Sequence, residues 1–121
     1  MTFVSAPTLP DVAPILRDAV PEFLDATKDD GMWTLVDEPD PQGIAFTMLG
    51  DLRLWLLDAR FRRNRAAIER AWNAAEHLAQ TTDPILQNAL MVGLLEGAWP
   101  SRHRSLMGPR TQALYADVMR D

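Results

Sequence analysis

The stretch IAFTMLGDLRLWLLD, residues 44–58, is apolar on nearly every face of a helix and is interrupted only by Thr47, Asp51 and Arg53. A helix that is hydrophobic all round is typical of the centre of a protein, and fifteen residues are too many for a buried strand. Gly50 costs such a helix up to about 1 kcal/mol relative to alanine, which predicts that another helix approaches closely there. The stretch therefore predicts a central buried helix, with core positions at Leu49, Leu52 and Leu56.

The segments on both sides of this stretch also have helical patterns. We predict further helices at residues 11–19, 64–79, 83–97 and 108–119. Asn64 and Asp83 are expected to be N-caps, because their side-chain oxygens can accept hydrogen bonds from the first turn. Pro21 is expected to end the first helix near Val20. No segment alternates as a half-buried strand does, so the predicted fold class is all-α: a compact bundle of about five helices.

The helices at residues 64–79 and 83–97 are predicted to form an antiparallel helical hairpin with Trp72 and Leu90 in the core. A mid-helix asparagine beside apolar neighbours costs stability if it is buried unpaired. Asn88 is therefore expected to hydrogen-bond across the hairpin, and Glu76 is its first expected partner.

The composition is that of one domain. At 121 residues and 47% hydrophobic, the chain can bury a core of its own. It has no cysteine, which excludes disulfides, thiolate metal sites and cysteine nucleophiles and suits a reducing cytoplasm. The N-terminus lacks the pattern of a secretory signal, and no stretch approaches the roughly 18 apolar residues of a membrane span. We therefore expect a cytoplasmic protein with a flexible N-terminal tail, residues 1–8.

The net charge of −5 is unevenly divided along the chain. Residues 1–58 hold 11 acids and 3 bases, a balance of −8, whereas residues 59–121 hold 6 acids and 9 bases, a balance of +3. An acidic surface repels nucleic acid and attracts basic protein surfaces. The arginine-rich run RFRRNR, Arg60–Arg65, could contact nucleic acid, but a pI near 4.9 argues against it. We expect these arginines to pair with the acids of the first half or to line a protein contact.

The most acidic segment is KDDGMWTLVDEPD, residues 28–40. The glycines and prolines within and after it predict that residues 28–43 form a loop. A calcium loop of the EF-hand type needs oxygen ligands at fixed positions around a glycine, and no register of this segment supplies them. No glycine-rich phosphate loop exists either, so we expect neither a metal nor a cofactor.

Trp33 stands in the middle of these acids, and two interpretations of it stay open. The ring either folds back onto the core or anchors an interface, since tryptophan is enriched in binding hot spots. In both cases the flanking acids face solvent, where they can steer a basic partner. The predicted partner-binding residues are Asp29, Asp30, Trp33, Asp37, Glu38 and Asp40.

Candidate catalytic residues are few. His77 and His103 are expected to be surface histidines near helix ends, because neither has a partner at helical spacing. Glu76 and Glu96 could act together in a helix-lined pocket, but acids are common on helices and a structural role is expected for Glu76. The serines lack the glycine elbow of hydrolases. We assign no catalytic residue and expect a protein that is not an enzyme.

Four motifs follow one another in a familiar order: MLGDLRLWLL (48–57), IERAWNAAEHLA (68–79), DPILQNALMVGLLEG (83–97) and LMGPRTQALY (106–115). In this order they resemble a family of small, all-helical bacterial proteins, some of them similar to immunity proteins encoded beside polymorphic secreted toxins. The resemblance covers about residues 9–119. It implies fold-defining roles for Glu76, Asn88, Glu96, Gly108 and Pro109. Residues 28–43 match no family pattern, and in immunity proteins such variable loops commonly carry toxin specificity.

The expected function is that of a non-enzymatic immunity protein that occludes the active site of a toxin with its acidic N-terminal half. The cognate toxin is expected to have a basic active-site cleft, as enzymes with anionic substrates do. Two alternatives stay open. One is a small helical adaptor or homodimeric protein-interaction module with no toxin partner, and the other is an enzyme that uses Glu76 and Glu96.

Overall fold

The computed structural model describes residues 6–23, 41–58 and 64–119. These residues are all-α, as predicted, and contain no strand. In chain order the helices are α1 (Val12–Ala19), α2 (Pro41–Leu57), α3 (Arg65–Leu78), α4 (Pro84–Ala89), a π-helical segment (Leu90–Leu95), α5 (Ser101–Arg104) and α6 (Pro109–Met119). Within these ranges no helix is both long enough and apolar enough to cross a lipid bilayer.

The core contains every residue that the sequence assigned to it. The buried predicted positions are Leu49, Leu52, Leu56, Trp72 and Leu90, each at most 2% exposed. Their burial confirms the helical periodicity from which they were predicted, because a misplaced stripe would put large apolar side chains in water.

α1 ends where the sequence predicts. Its last backbone hydrogen bond runs from Val20 N to Leu16 O at 2.9 Å, and residues 21–23 are helical again after Pro21. Upstream, Thr8 and Pro7 belong to the tail that we expect to be flexible. Thr8 N donates to a carboxylate oxygen of Asp11 at 2.8 Å, and the Pro7 carbonyl accepts from a threonine on the α3–α4 turn at 2.5 Å. These two residues are therefore fastened to the helices, while residues 1–5 lie outside the described ranges.

α2 is the central helix, and it begins three residues earlier than predicted. The sequence predicts loop for residues 41–43, but a proline in the first position of a helix sacrifices no hydrogen bond, so Pro41 can begin it. A broad face of α2 is buried, including Ala45, Met48 and Trp55. Leu54 is 66% exposed, so the expectation of a helix enclosed on every side is wrong.

Both predicted N-caps are confirmed. Asn64 Oδ1 accepts from Ala67 N at 3.2 Å at the start of α3, and Asp83 Oδ1 accepts from Ile85 N at 2.9 Å at the start of α4. Each cap satisfies a backbone N–H that has no partner within its own helix. The caps therefore fix the starts of both helices locally.

The segment that begins with α4 widens at Leu90 into a π-helix, a change that the sequence does not predict. This segment packs mainly on α2 and α6, whereas α3 packs mainly on α1 and α6. A Cβ atom at Gly93 would lie 3.3 Å from Leu49 Cβ and 3.6 Å from Gly50 N. The close helix approach predicted at Gly50 is therefore present, but Gly93 is the glycine that permits it, since a Cβ at Gly50 would meet nothing within 4 Å.

The chain turns sharply after the π segment. Gly97 has a φ of +100°, a backbone conformation that side chains rarely adopt, and a Cβ there would lie 2.7 Å from a guanidinium nitrogen of Arg53. The turn leads through Trp99 to α5, a short helix that the sequence does not predict. α6 then begins at Pro109, as predicted.

Candidate functional site

The six predicted partner-binding residues, at positions 29–40, lie outside the described residues. The structure does describe the two points at which their segment joins the helices. The Phe23 ring is fully buried and meets the Trp55 ring edge-on, with ring centroids 6.1 Å apart. Pro41 begins α2 on the other side. The described residues on either side of the segment, Phe23 and Pro41, therefore both belong to helices.

Glu76, the first candidate for acid–base chemistry, binds the N-terminus of α6. Its carboxylate accepts hydrogen bonds from Arg110 N at 3.2 Å, from Thr111 N at 2.9 Å and from Thr111 Oγ1 at 3.0 Å. The first N–H groups of a helix have no partner within the helix, and the helix dipole favours a negative charge there. Glu76 thus acts as an N-cap supplied by another helix. Its role is structural, as expected, but it fixes α6 and not the predicted hairpin.

Gly108, just before α6, is required by this arrangement. A Cβ atom at Gly108 would lie 2.4 Å from Glu76 Oε1 and 2.5 Å from its Cδ, far inside van der Waals contact. The motif Gly108–Pro109 therefore serves two purposes. The glycine admits the carboxylate of Glu76, and the proline begins the helix at a position where an N–H is not needed.

The expected contact between Asn88 and Glu76 is wrong. Asn88 is exposed and lines a groove of about 400 Å³ between the π segment and α6. The other described residues that line the groove are Met91, Val92, Glu96, Gly97, Val118 and Met119. Glu96 belongs to this groove while the carboxylate of Glu76 is bound to the start of α6, so the two glutamates do not form a common acid–base pair.

Glu22 is a carboxylate held by an arginine of another helix. Both of its oxygens are bound by the Arg70 guanidinium, and one Arg70 nitrogen also donates to the Ala19 carbonyl at 3.2 Å. The hydrogen bonds from Arg70 hold the pKa of the Glu22 carboxyl below its ordinary value. The pair fastens residues 19–22 to α3. Because the two side chains are 34% and 42% exposed, its net contribution to stability is that of a surface ion pair.

His103 is buried, contrary to the expectation of a surface histidine. It is 2% exposed, and its Nδ1 accepts a hydrogen bond from Trp72 Nε1 at 3.1 Å. The Trp99 ring meets both rings, with centroids 5.1 Å from Trp72 and 5.1 Å from His103. Because an indole N–H can only donate, Nδ1 must be the unprotonated nitrogen and the ring proton lies on Nε2.

The sequence contains a local signal for this cluster. Trp99 and His103 are four residues apart around Pro100 and Ser101, a pair that can begin a short helix. Arg102 and Arg104, which flank the histidine, are themselves exposed. The burial of His103 depends on Trp72, which lies far away in sequence, so local pattern alone could not establish it.

A half-open cavity of about 210 Å³ lies beside this cluster, between the start of α3 and the α5 segment. Its described lining consists of two arginines, the buried histidine, a serine and two apolar residues: Arg65, Arg102, His103, Ser105, Ile68 and Leu106. Arg65 belongs to the predicted run 60–65, and its Nε donates to Glu69 Oε1 at 3.0 Å. The expectation that an arginine of this run pairs with an acid of the first half is wrong for Arg65. Positions 60–63 lie outside the described ranges.

In the parts of the chain that the structure describes, no group of histidine, aspartate and glutamate side chains could hold a metal ion. Comparison with known protein families, curated proteins and solved structures found no significant match. The resemblance to small helical immunity proteins therefore stays a prediction that rests on the motifs quoted above.

Proposed function

We propose that the chain is a non-enzymatic immunity protein that binds a bacterial toxin and occludes a basic active-site cleft. One observation carries this proposal: acidic charge is concentrated in a single segment. Residues 25–40 hold six acids and one lysine, a balance of −5 that equals the net charge of the whole chain. A surface of this kind attracts a basic partner and speeds its association.

The positions of other carboxylates support the proposal. Glu76 binds the start of α6, Asp83 caps α4, and Glu22 is held by an arginine. These acids stabilise the helices, and each already has hydrogen-bond donors. Residues 25–40 hold more acids than these three contacts use, and Trp33 among them is the type of residue that anchors interfaces.

The chemistry of the partner follows from the charge. An acidic inhibitor suits an enzyme whose substrate is anionic, such as a nuclease or a nucleotide-using transferase, because the inhibitor then replaces the substrate in the same basic cleft. The partner would act on targets inside the cell, so the proposal includes a cytoplasmic location for the inhibitor.

Co-expression tests the proposal. Immunity proteins are encoded beside their toxins, so a gene for a large secreted protein should lie next to the gene for this chain. Expressed alone, the C-terminal domain of that secreted protein should stop growth, and co-expression of this chain should restore it. Growth arrest that this chain does not relieve would contradict the proposal.

Two matched triple variants test the contact segment. One carries Asp29→Asn, Asp30→Asn and Asp37→Asn, and the other removes three exposed acids elsewhere, by Asp18→Asn, Glu69→Gln and Glu96→Gln. Stopped-flow association with the toxin domain should be slower and less salt-dependent for the first variant than for the second. Equal rates for the two variants would mean that the segment is not the contact surface.

The alternative function, a helical adaptor or homodimer, is favoured by the groove between the π segment and α6. Val92 and Met119 on its walls are 47% and 51% exposed. Sedimentation at increasing concentration distinguishes the alternatives. An immunity protein should bind its toxin with one-to-one stoichiometry. A homodimer should form from the isolated chain without any partner.

A further inference from the structure

The described lining of the cavity between α3 and α5 carries two arginines and no carboxylate. In the described part of the chain, the Arg102 guanidinium makes no ion pair or hydrogen bond. Only the Nε of Arg65 donates to Glu69. The N–H groups of its two terminal nitrogens have no hydrogen-bond partner in the described chain. Two arginines from separate elements therefore line the cavity, and only Arg65 has a carboxylate partner in the described chain. A guanidinium fork matches the oxygens of a carboxylate or a phosphate.

The nitrogen groups that line the cavity are donors. Arginine has no acceptor, and the Nδ1 acceptor of His103 is already occupied by the Trp72 N–H. The Ser105 hydroxyl donates its hydrogen to the Arg102 carbonyl at 3.0 Å. A lining of this type favours an anion, since a metal cation requires lone pairs that these nitrogens do not offer.

The remaining walls are apolar. Ile68 is 8% exposed and Leu106 is half-buried, so they form a largely dehydrated surface next to the guanidinium groups. The volume of about 210 Å³ is below the roughly 300–1,000 Å³ of pockets for drug-sized ligands. A ligand that fills the cavity would therefore be small, with about ten non-hydrogen atoms.

We propose that this cavity binds a small organic oxyanion, a carboxylate or a phosphate monoester attached to an apolar body. The guanidinium groups of Arg65 and Arg102 hold the anionic end, and Ile68 and Leu106 contact the apolar part. The proposed site uses no residue of the acidic segment and its test needs no protein partner, so failure of one proposal leaves the other standing.

The test is a titration followed by NMR of the tryptophan indole N–H groups. The Trp72 N–H is bonded to His103, a wall of the cavity, so its resonance reports occupancy; Trp72→Phe assigns it. Phenyl phosphate and phenylacetate are the two anionic probes, and benzyl alcohol and inorganic phosphate are the controls. At least one anionic probe should shift this resonance saturably, with a dissociation constant at or below about 1 mM. The tighter of the two identifies the anionic group.

Two variants of the same short helix make the test specific. Arg102→Gln should weaken binding of the anionic probe at least about tenfold, because a charge-assisted hydrogen bond is lost. Arg104→Gln makes the same charge change outside the cavity lining and should alter binding less than about twofold. Both arginines are exposed, so neither change should unfold the protein.

Four results would overturn the proposal. No saturable shift by either anionic probe would mean that the cavity does not bind this class. Equal binding of benzyl alcohol would remove the role of the charge, and equal binding of inorganic phosphate would remove the role of the apolar walls. Equal weakening by Arg102→Gln and Arg104→Gln would show a general charge effect in place of a site.

Discussion

Replacing Glu76 with alanine should destabilise the protein far more than replacing any exposed acid. The substitution removes the acceptor of three hydrogen bonds at the start of α6, two from backbone N–H groups and one from the Thr111 hydroxyl. Thr111 is 1% exposed, so water cannot readily replace the lost partner. The change therefore combines a lost helix cap with a buried polar group left unpaired.

The magnitude follows from these two parts. Loss of an N-cap typically costs about 1 kcal/mol, and a buried hydroxyl without a partner costs about 1–3 kcal/mol. We expect Glu76→Ala to lower the free energy of unfolding by about 3 kcal/mol. For a chain of this size the melting temperature should fall by about 12 °C. Glu69→Ala, on the same helix, removes an exposed ion pair and should cost no more than about 0.5 kcal/mol.

A double-mutant cycle with Gly108 makes the prediction specific to the geometry. Gly108→Ala should cost about 2 kcal/mol in the wild type, because its methyl group would displace the carboxylate of Glu76. In the Glu76→Ala background the obstruction is gone, and the same change should alter stability by less than about 0.5 kcal/mol. Urea unfolding followed by circular dichroism measures all four proteins. Equal costs of Gly108→Ala in the two backgrounds would refute the proposed contact.

Three further predictions use the same unfolding assay. Gly93→Ala should destabilise the protein by about 1 kcal/mol, because the new methyl group would lie 3.3 Å from another helix. Gly50→Ala should stabilise it by up to about 1 kcal/mol, since the new methyl group would meet nothing within 4 Å. The opposite order of stabilities would contradict the packing. Glu22→Gln should cost about 0.5 kcal/mol near pH 7. Because the folded pKa is lowered, this difference should persist above the unfolded pKa of about 4.3 and vanish as pH falls through the folded pKa; a difference unchanged at pH 2 would exclude the ion pair as its cause. Trp72→Phe should cost about 2–4 kcal/mol, since it leaves Nδ1 of His103 buried without its donor; a cost below 1 kcal/mol would remove the role of that hydrogen bond.

The helices could be predicted from the sequence where their ends are determined locally. Asn64 and Asp83 cap the helices that follow them, and Pro21 interrupts the first helix, since each effect acts within three residues. The start of α2 was misjudged because a proline can end a helix or begin one, and Pro41 begins one. The π segment has no local signal, because its widened turns occur where α2 and α6 pack against it.

The candidate sites were harder to predict because their partners are distant in sequence. A structural role for Glu76 follows from the sequence, but the expected partner, Asn88 on the next helix along the chain, is not the observed one. The observed hydrogen-bond donors begin 34 residues away, at Arg110 N. They are backbone N–H groups at the start of α6, so the residue types there do not predict the contact. His103 was misjudged for the same reason, because its burial is created by Trp72, 31 residues earlier. Sequence pattern identifies which residues have unusual chemistry, but distant packing decides what they contact.

Polar contacts in the described chain join short helices that would not be stable alone. α1 has eight residues and α5 has four, well below the roughly 12–15 residues at which an isolated helix becomes marginal in water. The Glu22 ion pair fastens the end of α1 to α3, Glu76 fastens the start of α6 to α3, and the Trp72 indole fastens α5 to α3. α3 is therefore the helix on which these contacts converge. Binding a ligand through these ionisable groups would destabilise the protein, because the ligand would have to replace a contact that the fold requires. The Arg102 guanidinium carries no such role in the described contacts, and this is the physical reason for placing the proposed anion site there.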